Sequence, residues 1–254
     1  MDEMKTAGQK LIRGMNRVLD TAVAIALTVV LLYGGYALWD TYSVYNKTAV
    51  SGEIMHFKPD ISNPTLSELQ AVNEDVCAWL TIDGTHIDYP VLHGTDNSEY
   101  LNKNIYDEYS LGGSIFLDCQ NKPDFTDFYS LLYGHHMDGG AMFGDVKNFE
   151  QADYFDSHRT GTLIASGKSF RLEIAACMHV DAYDTYMFTP GVPTGTGRQA
   201  LLSYIQKNAL HYRETGIDTD SRILALSTCS SATTNGRTII VARMSEEKDT
   251  GGRG

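Results

Sequence analysis

Cys229 and Arg237 stand eight residues apart, between the apolar runs ILALSTC and GRTIIVARM. A thiol at the end of a buried strand is anchored yet reachable, and as a thiolate it is a strong nucleophile. Its unperturbed pKa is ~8.5, so a reactive cysteine needs a cation or a histidine nearby. A guanidinium is a fixed cation with several donors, suited to steadying the oxyanion that thiol attack on an amide creates. If the two runs are antiparallel neighbours, the loop between them closes like a hairpin and both residues reach one rim. Arg243 then projects to the same side, deeper along the strand. A plain surface arginine is the competing reading of Arg237.

The acid or base must come from elsewhere among the 8 histidines. YGHHMDGGAMFGD, from Tyr133, is the distinctive setting: His135 and His136 follow an apolar run and Gly134. Adjacent side chains on an extended segment point opposite ways, so only one of the two faces a given site. Zinc would need further ligands, and none stands at a suitable spacing. His56, His158 and His211 read as structural; His86 and His93 stay open. Cys77 and Cys177 lie inside apolar segments and read as small buried hydrophobes, while Cys119 is undecided. The 4 cysteines could form two disulfides or remain free, and spacing does not choose.

These residues need strands to position them. GGSIFLD, FYSLLYG, TGTLIAS, SFRLEIAACMHV, SRILALSTC and GRTIIVARM read as strands separated by turn formers, and IDGTHIDYPVLHG as a turn followed by another. TLSELQAVNEDVCAWL reads as a helix, since Leu66, Leu69, Val72 and Val76 recur at spacings of three and four. NSEYLNKN and MFGDVKNF read as short helices, and RQALLSYIQKNAL, 198–210, as a longer one with Leu201, Ile205 and Ala209 on one face. Strand–helix alternation is missing, so the expectation is a mainly β fold: a closed or nearly closed β-barrel of about eight strands, decorated by helices.

Residues 21–39, TAVAIALTVVLLYGGYALW, carry no charge. At ~1.5 Å per residue they span roughly 28 Å, about a bilayer's hydrocarbon thickness. Lys5, Lys10, Arg13 and Arg17 precede them, so 1–20 is expected in the cytoplasm and everything after Asp40 outside. No small-residue cleavage site follows, which favours a retained anchor over a removed signal peptide. Residues 40–63 read as a stalk, 64–244 as the functional domain and 245–254 as a charged flexible tail. The net charge of −12 argues against nucleic acid as a partner.

Together these pieces resemble the sortases, cysteine transpeptidases of Gram-positive bacterial surfaces, over roughly residues 65–244. The family's signature is a T-L-x-T-C strand end with an arginine shortly after it and a G-H strand end upstream. Here the first reads ALSTC at 225–229, with Ala225 in place of the first Thr, followed by Arg237. The second is Gly134-His135. The detail is similar to class B: N-terminal helices, a GHHM segment followed by an MF helix, and a long helix before the cysteine strand. The second membrane helix and lid usual in class C are not read here.

The resemblance implies Cys229 as nucleophile, His135 as general acid/base and Arg237 as stabiliser of oxyanion or substrate, with no cofactor or metal. Strand parity is expected to put Ser227, two residues before the thiol, on the same face and in reach of a substrate. The implied reaction cleaves a C-terminal sorting signal of a secreted protein after a threonine. It forms a thioacyl-enzyme and passes the acyl group to an amine of a peptidoglycan precursor or a pilin lysine. The loop SSATTNG lacks the acidic and aromatic residues that some class B members carry after the cysteine, so a triad acid cannot come from it. Alternatives are a hydrolytic cysteine protease using the same residues, or a non-catalytic membrane-anchored binding domain.

Overall fold

The computed structural model describes residues 2–48, 52–192, 194–229 and 235–247, with the side chains of 2–11, 43–48 and 229 outside that description. Two compact units divide the chain near residue 46. The first is helix α1, Asp2–Thr48. Its stretch Ile12–Tyr42 is long and apolar enough to cross a membrane, and none of it is buried in the protein. Thr21, Thr28 and Thr41 return their hydroxyls to the carbonyls of Arg17, Ala24 and Ala37, four residues back, so these polar groups are satisfied within the helix. Helix extends beyond the apolar run at both ends because no proline interrupts residues 2–48.

In the second unit, the short helices α2 (Gly52–His56) and α3 (Ser67–Val72) lead into nine strands among the described residues. In chain order these are β1 Val76–Ile82, β2 Asp88–Leu92, β3 Ile115–Leu117, β4 Tyr129–Gly134, β5 Thr160–Ala165, β6 Lys168–Asp181, β7 His211–Tyr212, β8 Arg222–Cys229 and β9 Gly236–Glu246. Helix α4, Ala152–Ser157, precedes β5, and α5, Gly195–Asn208, follows β6. The hydrogen-bonded order is β5-β1-β2-β3-β4-β8-β9-β6-β7, and β5 also pairs with β6. That last pairing closes eight strands into a barrel and leaves β7 as a short flap on β6. Only β2–β3 and β4–β8 run parallel; the other neighbours are antiparallel.

Alternation along the strands sorts side chains into two layers. Leu80, Val91, Leu132, Leu172, Leu224, Leu226 and Ile240 fill the barrel interior. The opposite face of β4, β8 and β9 (Tyr129, Leu131, Ile223, Ala225, Ile239 and Val241) is covered by α5 through Leu201 and Ile205. Burial on both faces explains why β8 and β9 read as continuous apolar runs. Thr194 caps α5, its hydroxyl accepting from Gly197 N at 3.2 Å.

Two expectations need correction. The helix expected over 65–80 stops at Val72. Asn73 Oδ1 accepts from Asp75 N at 2.9 Å, turning the chain, and VCAWLTI becomes β1. The polar stretch 40–63 is not a bare stalk: α1 occupies its start, and Ile54 of α2 is buried against Leu69, Trp79 and Ile164. At the other end Ser245 and Glu246 still belong to β9, Glu246 pairing with Lys168 at 3.0 Å, whereas 248–254 lies outside the described residues.

Candidate active site

Three strand ends meet at one rim of the barrel. Parallel pairing of β4 with β8 sets Tyr133 beside Ser227 and Gly134 beside Thr228. Antiparallel pairing of β8 with β9 sets Cys229 opposite Arg237. Ile223 and Ala225 face the layer under α5, and by alternation Ser227 follows on that face. Ile239 and Val241 face it too, and Arg237 follows. The thiol of Cys229 and residues 230–234 of the following loop lie outside the described residues.

Next to this rim is a cavity of about 320 Å³, lined by Asn97, Leu101, Phe116, Tyr133, His135, Phe188, Ser227, Thr228 and Arg237 among others. His135 is half-buried, and its Nε2 lies 2.8 Å from the carbonyl oxygen of Leu101. His136 is not among the lining residues. It bridges to Met142, and its Nδ1 is buried without a partner among the described residues. Of the two adjacent histidines, His135 is the one that lines this cavity. Arg237 donates to the carbonyl of Gly236 at 3.1 Å, and no carboxylate pairs with it among the described residues. Ser227 is only 2% exposed, and its hydroxyl, at the cavity wall, has no partner among the described residues.

Local sequence explains why His135 stands where it does. A Cβ on Gly134 would come 2.5 Å from the Ile115 side chain and 2.7 Å from the Phe143 ring, so a larger residue there would have to displace the side chains packed at the rim. Past the histidine, Phe143 N donates to His135 O at 3.0 Å, and Met142 N donates to the Tyr89 hydroxyl at 3.0 Å. Asp145 pins this loop to the β1–β2 turn: its Oδ2 accepts from His86 N at 2.8 Å and lies 2.9 Å from His86 Nδ1. That answers the open question about His86, whose role is to brace the loop. His93 lines a different cavity, of about 780 Å³, beside Asn63–Ser67 and Asp75.

Sequence reasoning missed the cavity floor. Tyr133, two residues before His135, donates its hydroxyl to Asp118 Oδ2 at 2.9 Å and stacks on Phe188. Asn97 Nδ2 donates to the same oxygen at 2.9 Å while its Oδ1 accepts from Cys119 N at 2.8 Å. Burial first, then the neighbouring Asp118 charge, hold the Tyr133 phenol far above its usual pKa, so it stays a neutral donor. Strand parity with His135 could have pointed to Tyr133; nothing local marks Asn97.

The remaining cysteines are free thiols, which removes the two-disulfide option. Burial pushes Cys77 well up and Cys177 up to about 12, so neither is a thiolate at neutral pH.

Comparison with known proteins decides the family. The sortase domain matches residues 80–245. The chain belongs to the sortase family. It is 32% identical over 194 residues to sortase B of Listeria monocytogenes, covering 75% of each chain. The fold superposes with a TM-score of 0.65 on a class B sortase of Streptococcus pyogenes involved in pilus biogenesis, at 40% identity over 71% of this chain and 98% of that one. With Staphylococcus aureus sortase B in a substrate complex the TM-score is 0.68, at 25% identity over 73% of this chain and 86% of the other. This sortase is accordingly of class B, a cysteine transpeptidase on an eight-stranded barrel.

Proposed function

We propose that Cys229, His135 and Arg237 carry the reaction of this sortase, acting on a sorting signal cut after a threonine. The convergence of three strand ends on one cavity is the observation that supports this reading. The Cys229 thiolate attacks the threonyl carbonyl carbon, and Arg237 steadies the oxyanion or the substrate backbone beside it. The carbon–nitrogen bond then breaks, and protonated His135 gives its proton to the leaving amine. A thioester remains on Cys229. An incoming amine attacks it, His135 takes the amine's proton, and the thiolate leaves. Ser227, whose buried hydroxyl at the cavity wall has no partner among the described residues, contacts the substrate backbone.

The N-terminal apolar helix fits a single-pass anchor. We take its basic end as cytoplasmic and the barrel as extracellular. Both reactants of such a transfer are membrane-bound, and a tether raises their effective concentration. The acceptor is an amine of a cell-wall precursor or a pilin lysine. A relative at 40% identity is described as involved in pilus biogenesis, and another, at 39%, comes from a type II pilus of Streptococcus pneumoniae, which favours the lysine. The test is incubation of the purified protein with a panel of threonine-containing sorting peptides, with and without an amine, beside Cys229→Ala. Cleavage that requires Cys229, with the acyl half recovered on the amine, is expected. Cleavage retained by Cys229→Ala removes Cys229 as nucleophile, and acyl product found only as free acid points to a hydrolase.

A further inference from the structure

We infer that the main-chain carbonyl of Leu101, held in place by Gly113, is the group that orients His135 and fixes its tautomer, leaving Nδ1 as the nitrogen that moves protons. The inference rests on the reading of His135 as the acid/base. A neutral imidazole has one donor and one acceptor nitrogen, and a carbonyl oxygen can only accept. The 2.8 Å contact between His135 Nε2 and Leu101 O therefore puts the hydrogen on Nε2. The lone pair of the neutral ring is then on Nδ1.

Nucleophile–base pairs usually have a third group that orients the base, often a carboxylate. None fills that place here. The segment from Ser230 to Gly236 has no acidic residue, and His135 forms no carboxylate contact among the described residues. A carbonyl does the orienting without adding a charge. It holds Nε2–H in both the imidazole and the imidazolium, so the ring keeps one pose while its proton goes from Nδ1 to the leaving amine and is replaced from the incoming one.

The carbonyl is itself held from several sides. Leu101 ends a short 3-10 turn, Glu99–Leu101, whose entry is tied by Asp96 Oδ1 accepting from Ser98 N at 2.7 Å and Glu99 N at 2.9 Å. Tyr100 is buried, donates to Asp75 at 2.6 Å, and its carbonyl accepts from Ser114 N at 3.0 Å. Gly113 packs directly on the turn. Its φ is +56°, and a Cβ there would come 2.3 Å from Leu101 O and 2.5 Å from Tyr100 O. Both contacts are with backbone, so any side chain at 113 must push away the oxygen that His135 uses. Gly113 is thus a positioning residue that acts through Leu101.

The experiment uses the full chain in detergent with ¹⁵N-labelled histidine, the His135 signals being identified by their loss in His135→Gln. At a pH where the ring is neutral, a single Nε2–H tautomer is expected. A Nδ1–H tautomer, or the mixture of a free imidazole, overturns the inference. Gly113→Ala is expected to mix the tautomers and to lower kcat for peptide cleavage between about tenfold and a hundredfold, short of the 10²–10⁴ that general acid–base catalysis supplies. KM should change by less than about threefold, because the methyl acts on the base rather than on uniform substrate binding. Unchanged tautomer and kcat in folded Gly113→Ala would also overturn it; if that variant does not fold, the wild-type tautomer alone decides. His135→Gln separates the two claims. Cleavage retained there removes the acid–base reading, whereas cleavage lost there with Nδ1–H in the wild type leaves that reading standing and removes this one.

Discussion

Arg237 and Arg243 lie on the same face of β9, one at each end of the strand, and they are used differently. Arg243, opposite Ile223 and Glu173 in the sheet, reaches Glu173 at 3.4 Å and the carbonyl of Thr215 at 3.3 Å. Arg237, opposite Cys229, donates to its own neighbour's carbonyl and has no carboxylate among the described residues. The first cation is neutralised by the fold. The second, beside the cavity, has no anionic partner among the described residues. Composition and strand parity cannot separate the two; the groups supplied by neighbouring strands do.

The largest difference between the two ends should come from the nucleophile. Cys229→Ala should lower peptide cleavage by at least about 10³-fold and abolish the thioester adduct seen by mass spectrometry, because a thioester needs the Cys229 sulfur. Next comes the arginine pair. Arg237→Ala should cost about 10²–10³ in kcat/KM, as expected for an oxyanion donor. Arg243→Ala should stay within about twofold in activity and lose no more than about 1 kcal/mol in denaturant unfolding, its ion pair being one-third exposed. Equal losses from both would break the comparison. Ser227→Ala should give a smaller loss, about three- to tenfold in kcat/KM, from one hydrogen bond to substrate.

The smallest effect concerns the buried thiols. Cys177, pushed up to about 12 by burial, is neutral at every pH below that, so its labelling by a thiol reagent on the folded protein should stay near zero from pH 6 to about 9. Cys77, raised further by burial, should behave alike. Rapid labelling of either at pH 7 would mean that this part of the barrel opens.

Strands were easier to read than the segment before them. The turn formers around β4, β5 and β6 and the apolar runs of β8 and β9 are local signals, and all five form. Val76–Ile82 failed because six of its seven residues are buried, leaving no alternation to distinguish it from a continuing helix. The β-branched and aromatic content of VCAWLTI was the better signal. Cys229 and Arg237 were legible as a pair because one loop joins their strands. Asn97 and Leu101 were not, since they reach the cavity from the β2–β3 connection, and what Leu101 presents to His135 is backbone, which every residue carries.

The ring order has a consequence for the growing chain. β8 and β9 follow the other seven strands in sequence yet fill the gap between β4 and β6. Until they arrive, β4 and β6 each present an unpaired edge, and the interior is open along one side. Their partners are distant in sequence, Tyr129 pairing with Ile223 and Phe170 with Glu246, so the ring closes only through long-range pairings. β8 carries Cys229, and β9, the last strand, pairs with both β8 and β6 to complete the wall. The register that sets Cys229 opposite Arg237 therefore waits for the last strand of the chain.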